Sequence, residues 1–90
     1  MENNEREKLF NDLRNVLNMG ATYSGVAVSD KAINQALDGN CYIFKSLISI
    51  IAEHIKWWNE CDINKAMYAQ EVYGNFERFI KENENAENKG

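Results

Sequence analysis

Apolar residues recur at helical spacing along four stretches of the chain. The first two stretches predict one long helix and one short helix. A first helix is expected from about Asn4 to Met19, with apolar residues three and four positions apart on one face. That face consists of Leu9, Phe10, Leu13, Val16, Leu17 and Gly20. A short second helix is expected after Ser29 or Asp30, because both side chains can accept a backbone N–H bond at a helix start. Its inward face consists of Ile33, Ala36 and Leu37, and Asp38-Gly39 ends it.

The third stretch predicts the central helix, from about Cys41 to Asn59 with Asn40 as its cap. Its main apolar stripe consists of Phe44, Leu47, Ile48, Ile51, Ile55 and Trp58. Ile43, Ile50 and Trp57, seven positions apart, form a second stripe beside it. Only a narrow polar strip remains, so we expect this helix to be buried on more than half of its surface.

The fourth stretch predicts a helix that begins at Asp62 and ends near Glu82. Its packing face consists of Ala66, Ala69, Tyr73, Phe76 and Ile80. Gly74 interrupts it at a cost of about 1 kcal/mol relative to alanine, which predicts either the close approach of another helix or a bend. Residues 83–90 lose the periodicity and are expected to form a disordered tail.

Together these elements predict an all-α fold, a small four-helix antiparallel bundle with three long helices and one short helix. A length of 90 residues fits one domain, which we expect to span residues 1–82. The longest loop runs from Gly20 to Val28 and contains Tyr23 between two glycines.

Charge and cysteine content exclude several classes of function. The 14 acidic and 10 basic side chains give a net charge of −4, and the basic ones are scattered, which disfavours nucleic acids and anionic membranes as partners. The acidic N-terminus predicts no signal peptide, and no apolar run approaches the ~20 residues of a membrane span.

Cys41 and Cys61 lie about 30 Å apart on one predicted helix, too far for a disulfide. Two free thiols indicate the cytoplasm.

His54 is the only histidine, which removes most catalytic and metal-binding schemes. A zinc site needs three or four convergent ligands, and a phosphorelay histidine needs an open surface that Trp57 and Trp58 would crowd. We therefore expect His54 at the edge of the polar strip, hydrogen-bonded or solvated. Cys41 and Cys61 are expected to be small core or boundary residues. No catalytic residue, metal or cofactor is predicted.

The aromatic residues point to an interaction function. The second stripe of Ile43, Ile50 and Trp57 widens the third helix beyond what three other helices readily cover, and exposed apolar surface marks interfaces. The plainer alternative is that the bundle buries both stripes. Tyr23 is a further candidate contact, although such a tyrosine often only packs its loop. The sequence thus predicts a non-enzymatic cytoplasmic regulator or inhibitor, homodimeric and acting on another protein.

Two further expectations concern origin and an alternative function. The asparagine-rich, proline-free composition is compatible with an accessory protein of a phage or mobile element. The alternative function is binding or sequestering a nucleotide or metabolite, with Tyr23, its glycine-containing loop, and Tyr42 or Tyr73 lining the site.

Overall fold

A computed structural model describes the backbone of residues 2–19 and 28–89 and the side chains of residues 4–19 and 28–83. Within these residues it contains four helices and no strand. The helices are α1 (Glu2–Met19), α2 (Asp30–Leu37), α3 (Cys41–Cys61) and α4 (Ile63–Lys89). The predicted all-α bundle of three long helices and one short helix is confirmed. Gly20, Tyr23, Gly25 and Val26 lie outside the described residues.

The start of α2, its end and the turn into α3 follow from the chemistry of three residues. Ser29 caps α2 by accepting the N–H of Ala32 at 3.2 Å. Gly39, at φ +105°, then adopts the left-handed conformation that ends a helix, and its N–H bonds to the carbonyl of Ala36. Asn40 donates its own N–H to Gln35 while its side chain accepts the N–H of Ile43, so this residue completes one helix and begins the next.

A single residue, Asp62, separates α3 from α4. Its N–H bonds back to the carbonyl of Trp58, and its side chain accepts the N–H of Lys65 at 3.3 Å. Cys41 and Lys45 line the same depression as Glu77 and Lys81. The two helices therefore run antiparallel as a hairpin, whereas an antiparallel course for the whole bundle stays a prediction.

One hydrophobic core joins all four helices. Among the described residues it has fifteen buried hydrophobic members, and all but Val72 belong to the predicted faces: Leu9, Leu13, Val16, Leu17, Ile33, Ala36, Leu37, Leu47, Ile51, Trp58, Ala66, Ala69, Val72, Phe76 and Ile80. Phe44 stacks edge-on against Phe76, with ring centroids 4.9 Å apart. The burial of Trp58 and the inward face of α2 are confirmed.

Polar contacts fix α1 against its neighbours. Arg6 pairs with Asp38 at 2.9 Å, and Arg14 lies 3.5 Å from Asp30, so α1 and α2 also run in opposite directions. The Tyr68 hydroxyl donates to Asp12 across the α1–α4 contact at 3.0 Å.

The structure bears on two expectations about the long helices, namely the burial of α3 and the end of α4. Helix α3 contacts each of the other described helices, as expected of a central element, but more than half of its residues are exposed. The expectation that more than half of its surface is buried stays a prediction. Helix α4 is assigned through Lys89 rather than ending at Glu82. The expected disorder of residues 83–90 stays a prediction for hydrogen exchange to test.

Candidate interaction surfaces

The predicted second stripe of α3 lies partly against the core. Ile43 and Ile50 are half-buried and pack on the core cluster, while Trp57 is 39 % exposed. Trp57 is therefore the member of the stripe with the most accessible surface. Tyr23, the other predicted contact residue, lies outside the described residues. The other three predicted residues follow one another along α3, with Ile43 and Trp57 about 21 Å apart.

The hinge between α3 and α4 is flanked by exposed apolar side chains. Ile63 is 55 % and Met67 is 62 % exposed, and together with Trp57 they lie within two helical turns of Asp62. We call these three residues the hairpin tip. Apolar side chains this exposed and this close together are typical of protein-binding surfaces. Among large hydrophobic residues with described side chains, the only other one of comparable exposure is Tyr42 at 79 %, at the far end of α3.

Sequence reasoning missed Ile63 and Met67, although a signal for them was present. The predicted packing face of α4 began at Ala66, and neither residue belongs to it. An Ile and a Met left off a packing face, next to a one-residue hinge, indicate exposed apolar surface.

A second surface follows the side of the hairpin away from α1 and α2. It consists of Lys45, Ser49, Ala52 and Lys56 on α3 and Gln70, Gly74 and Glu77 on α4, all exposed. We call it the hairpin face. At its middle, Ala52, Ile55, Gln70 and Tyr73 line a shallow, mostly apolar depression. Within the described residues, no helix covers this face.

Gly74 lies at the middle of the hairpin face without an evident role in the monomer. Its φ is not positive, and a Cβ built on it meets no atom within 4 Å. The predicted close approach of another helix therefore does not occur among the described residues. A helical glycine that is neither strained nor crowded costs about 1 kcal/mol relative to alanine.

His54 occupies the core, so its expected place at the edge of the polar strip is wrong. Of the two expected states, the imidazole is hydrogen-bonded, to the backbone of Leu17, rather than solvated. The side chain is buried, and its ring lies 5.3 Å from that of Trp58, between centroids. Its position follows from the spacing of Leu47, Ile51, His54 and Trp58, which places the imidazole on the buried stripe of α3.

The surroundings of His54 favour the neutral imidazole. Burial lowers its pKa below the usual 6.5, while a hydrogen bond to the backbone of Leu17 and the negative charge of Glu53 partly oppose that shift. His54 Nε2 and the neighbouring Trp58 Nε1 are both buried without a hydrogen-bond partner. Unpaired buried nitrogens are costly, so this is the polar weak point of the core.

Cys41 and Cys61 are both exposed free thiols, so the expectation that they are core or boundary residues is wrong. They lie at opposite ends of α3, where the helix termini leave them outside the core stripe. Cys61 donates to the carbonyl of Trp57 with its sulfur 3.5 Å away. In the described part of the chain, no three His, Cys, Asp or Glu side chains come together as a metal site would require.

The comparisons with known proteins add no functional information. No protein-family model matches the chain, and neither curated proteins nor solved structures give a significant match. Among the described residues, no helix has the length and apolar character needed to cross a membrane.

Proposed function

We propose that this chain is a non-enzymatic protein-interaction module, a small helical regulator or inhibitor that self-associates as a homodimer and binds another protein. The partner surface is the hairpin tip. Its location in the cytoplasm is part of the proposal and is supported by two exposed free thiols, which survive best in a reducing compartment.

One observation supports the partner site above all others, namely the exposure of Ile63 and Met67 in the first turns of α4, directly after the hinge. Water-exposed side chains of this size lose stabilisation that burial would supply, at roughly 25 cal/mol per Å² of apolar area. Trp57 adds an aromatic side chain, a type enriched in interface centres. Ile43 and Ile50 offer less accessible apolar surface to a partner, because both are already half-buried.

The charges support a protein rather than a nucleic acid as the partner. Four of the basic side chains lie within 4 Å of an aspartate: Arg6, Lys8, Arg14 and Lys65. Phosphate binding needs clustered and available cations. The net charge of −4 adds a general repulsion toward nucleic acids.

The test compares the wild type with the double variant Ile63→Ser/Met67→Ser in quantitative affinity capture. The matched control is Tyr42→Ser, which removes a large and still more exposed side chain from the other end of α3. We expect the wild type and the control to capture a protein that the double variant does not capture. The same protein, once purified, should bind the wild type directly. A capture profile that is identical for all three chains would contradict the hairpin tip as the partner site.

A second candidate function is the binding of a small metabolite or nucleotide. One observation favours it, because Tyr73 lines the apolar depression between α3 and α4. That depression measures about 260 Å³ and is open to solvent, whereas ligand sites are usually enclosed and about 300–1,000 Å³. Tyr42, the other tyrosine proposed for this site, does not line it.

Thermal unfolding against a panel of nucleotides and metabolites separates the two functions. A ligand present at about 100 times its Kd stabilises a fold by about 2.7 kcal/mol, which raises the Tm of a chain this size by roughly 10–20 °C. A clear rise with one ligand class, abolished in Tyr73→Ala, would favour sequestration over protein binding.

A further inference from the structure

A depression near the open end of the α3–α4 hairpin combines apolar and basic side chains. We call it the basic cleft and define it by Phe44, Lys45, Gly74, Glu77, Ile80 and Lys81. It measures about 620 Å³, which falls within the range of roughly 300–1,000 Å³ for small-molecule sites. None of these residues lines the depression at Tyr73, so the two depressions are separate.

The fold gathers at this cleft cations that are scattered along the chain. Among the described basic side chains, four pair with aspartates, and the other five form no ion pair with a described carboxylate: Lys31, Lys45, Lys56, Arg78 and Lys81. Three of these five line the basic cleft. Arg78 donates its guanidinium N–H to the side-chain oxygen of Asn75 at 2.7 Å, which leaves Lys45 and Lys81 as the two cations available to a ligand.

The charge of the cleft is opposite to that of the whole chain. Glu77 is the one carboxylate among its described lining residues, and the first turn of α3 contains no acidic residue. Three cations less one carboxylate give the lining a net charge of +2, in a chain whose net charge is −4. Lys45 and Lys81 also lie at similar heights along the hairpin, about 26 Å and 29 Å from Asp62 at 1.5 Å per residue. The cleft therefore attracts an anion, and two cations can contact the same anionic group.

The floor of the cleft supplies apolar contact. Ile80 is buried in the core, and Phe44 is half-buried, with its ring fixed by the edge-on contact with Phe76. Gly74 adds no side chain to the wall, and even a Cβ at this position would meet no atom within 4 Å. A ligand with an apolar body can therefore lie on the Phe44 ring, where it removes apolar surface from water.

From these observations we infer that the basic cleft binds a small amphiphilic organic anion, in which one carboxylate or phosphate group is joined to an apolar body. The anionic group pairs with Lys45 and Lys81, and the apolar body lies on Phe44 and Ile80. Few cations around one cleft suit a single anionic group, whereas the successive phosphates of a nucleic acid need a basic groove that follows the backbone. This site lies outside the proposed function and shares no residue with the hairpin tip, so either can fail without the other.

NMR titration of the isotope-labelled protein with four compounds tests the inference. Octanoate and octyl phosphate carry the two anionic groups on the same apolar chain, octanol lacks the charge, and inorganic phosphate lacks the apolar chain. We expect both amphiphilic anions to shift the amide signals of Phe44, Gly74 and Lys81, with Kd values of roughly 0.1–1 mM. Octanol and inorganic phosphate should bind at least about tenfold more weakly. The tighter of the two amphiphilic anions identifies the anionic group.

Charge variants locate the anionic group. Lys45→Gln and Lys81→Gln should each raise the Kd by about five- to tenfold, because each removes a charged hydrogen-bond donor. The matched control is Lys56→Gln, which removes an exposed lysine of α3 outside the cleft and should leave the Kd unchanged. Glu77→Gln should lower the Kd, because it removes the carboxylate that repels the ligand. A gain of affinity cannot result from a damaged fold.

The two thiols of α3 provide an internal measure of where the ligand lies. Cys41 lines the basic cleft, whereas Cys61 lies at the opposite end of α3, and both are exposed. Saturating octanoate should slow the alkylation of Cys41 by neutral iodoacetamide severalfold and leave that of Cys61 unchanged. Mass spectrometry of the two tryptic peptides measures both rates in one sample. Equal protection of the two thiols would remove the cleft as the binding site.

The titrations themselves can overturn the inference in three ways. Absence of amide shifts with either amphiphilic anion at about 5 mM would exclude the site. Octanol that binds as tightly as octanoate would show that the lysines do not select the ligand. Amide shifts centred on Ile63 and Met67 would place the apolar chain at the hairpin tip instead.

Discussion

Acidification should destabilise this protein through His54 alone at pH values above those where carboxylates titrate. His54 is the only histidine, and it is buried beside Trp58. Burial lowers its pKa in the folded state below the 6.5 of the unfolded chain. Between these two values the unfolded chain binds a proton that the folded chain does not, so the free energy of unfolding falls as the pH falls.

The magnitude follows from one proton. The slope has a limit of about 1.4 kcal/mol per pH unit, and the loss begins near pH 6.5, where the unfolded chain starts to protonate. Between pH 7.5 and 5.5 the loss is therefore at most about 1.4 kcal/mol, and it stops growing below the folded-state pKa. Glu53 and the Leu17 backbone reduce the effect, because both favour the charged imidazole.

Urea unfolding followed by tryptophan fluorescence at pH 7.5, 6.5 and 5.5 measures this dependence. The control is His54→Gln, which keeps a polar side chain at the position but removes the titration. Whatever its own stability, the variant should show a flatter dependence on pH than the wild type. Equal slopes for the two chains, or a His54 pKa above 6.5 by NMR titration of the folded protein, would refute the reasoning.

Three substitutions test other parts of the fold. Tyr68→Phe removes the hydroxyl that donates to Asp12 and should lower the free energy of unfolding by about 1 kcal/mol in urea denaturation. An effect no larger than that of the control Tyr73→Phe would show that this hydrogen bond does not stabilise the fold. Gly39→Ala forces a Cβ into a left-handed backbone and should cost about 1 kcal/mol or more by the same assay; a stability equal to that of the wild type would mean that the turn relaxes. Ile51→Val removes one methylene from a fully buried site and should lower the Tm in calorimetry, at a cost of about 0.5–1.5 kcal/mol, whereas an unchanged Tm would indicate loose packing around α3.

The helix starts and the end of α2 were predictable because local chemistry determines them, whereas α3 and α4 extend beyond their predicted ends, to Cys61 and Lys89. The side chains of Asn40 and Asp62 accept backbone N–H groups at the starts of α3 and α4. Gly39 tolerates the positive φ that ends α2. The core faces followed from periodicity alone. These features depend on residues close together in the chain, so the sequence contains the information directly.

The surfaces were less predictable because they depend on which side of a helix a distant segment covers. Periodicity gave Ile43 and Ile50 a stripe of their own, but both residues lie half-buried against the core. His54 was misjudged by its polar type, although its spacing from Ile51 and Trp58 places it on the buried stripe. The exposed Ile63 and Met67 lay outside the faces that periodicity assigned to the core.

The double role of Asn40 has a consequence for the order of folding. The N–H of Asn40 bonds to the carbonyl of Gln35 at the end of α2, and its side chain accepts the N–H of Ile43 at the start of α3. The hydrogen bonds around Asn40 join residues only three to five positions apart. Such contacts form early, because closing a short loop costs little chain entropy. We therefore expect the turn between α2 and α3 to be formed in the transition state for folding. Loss of the Asn40 side chain should accordingly slow folding more than it speeds unfolding.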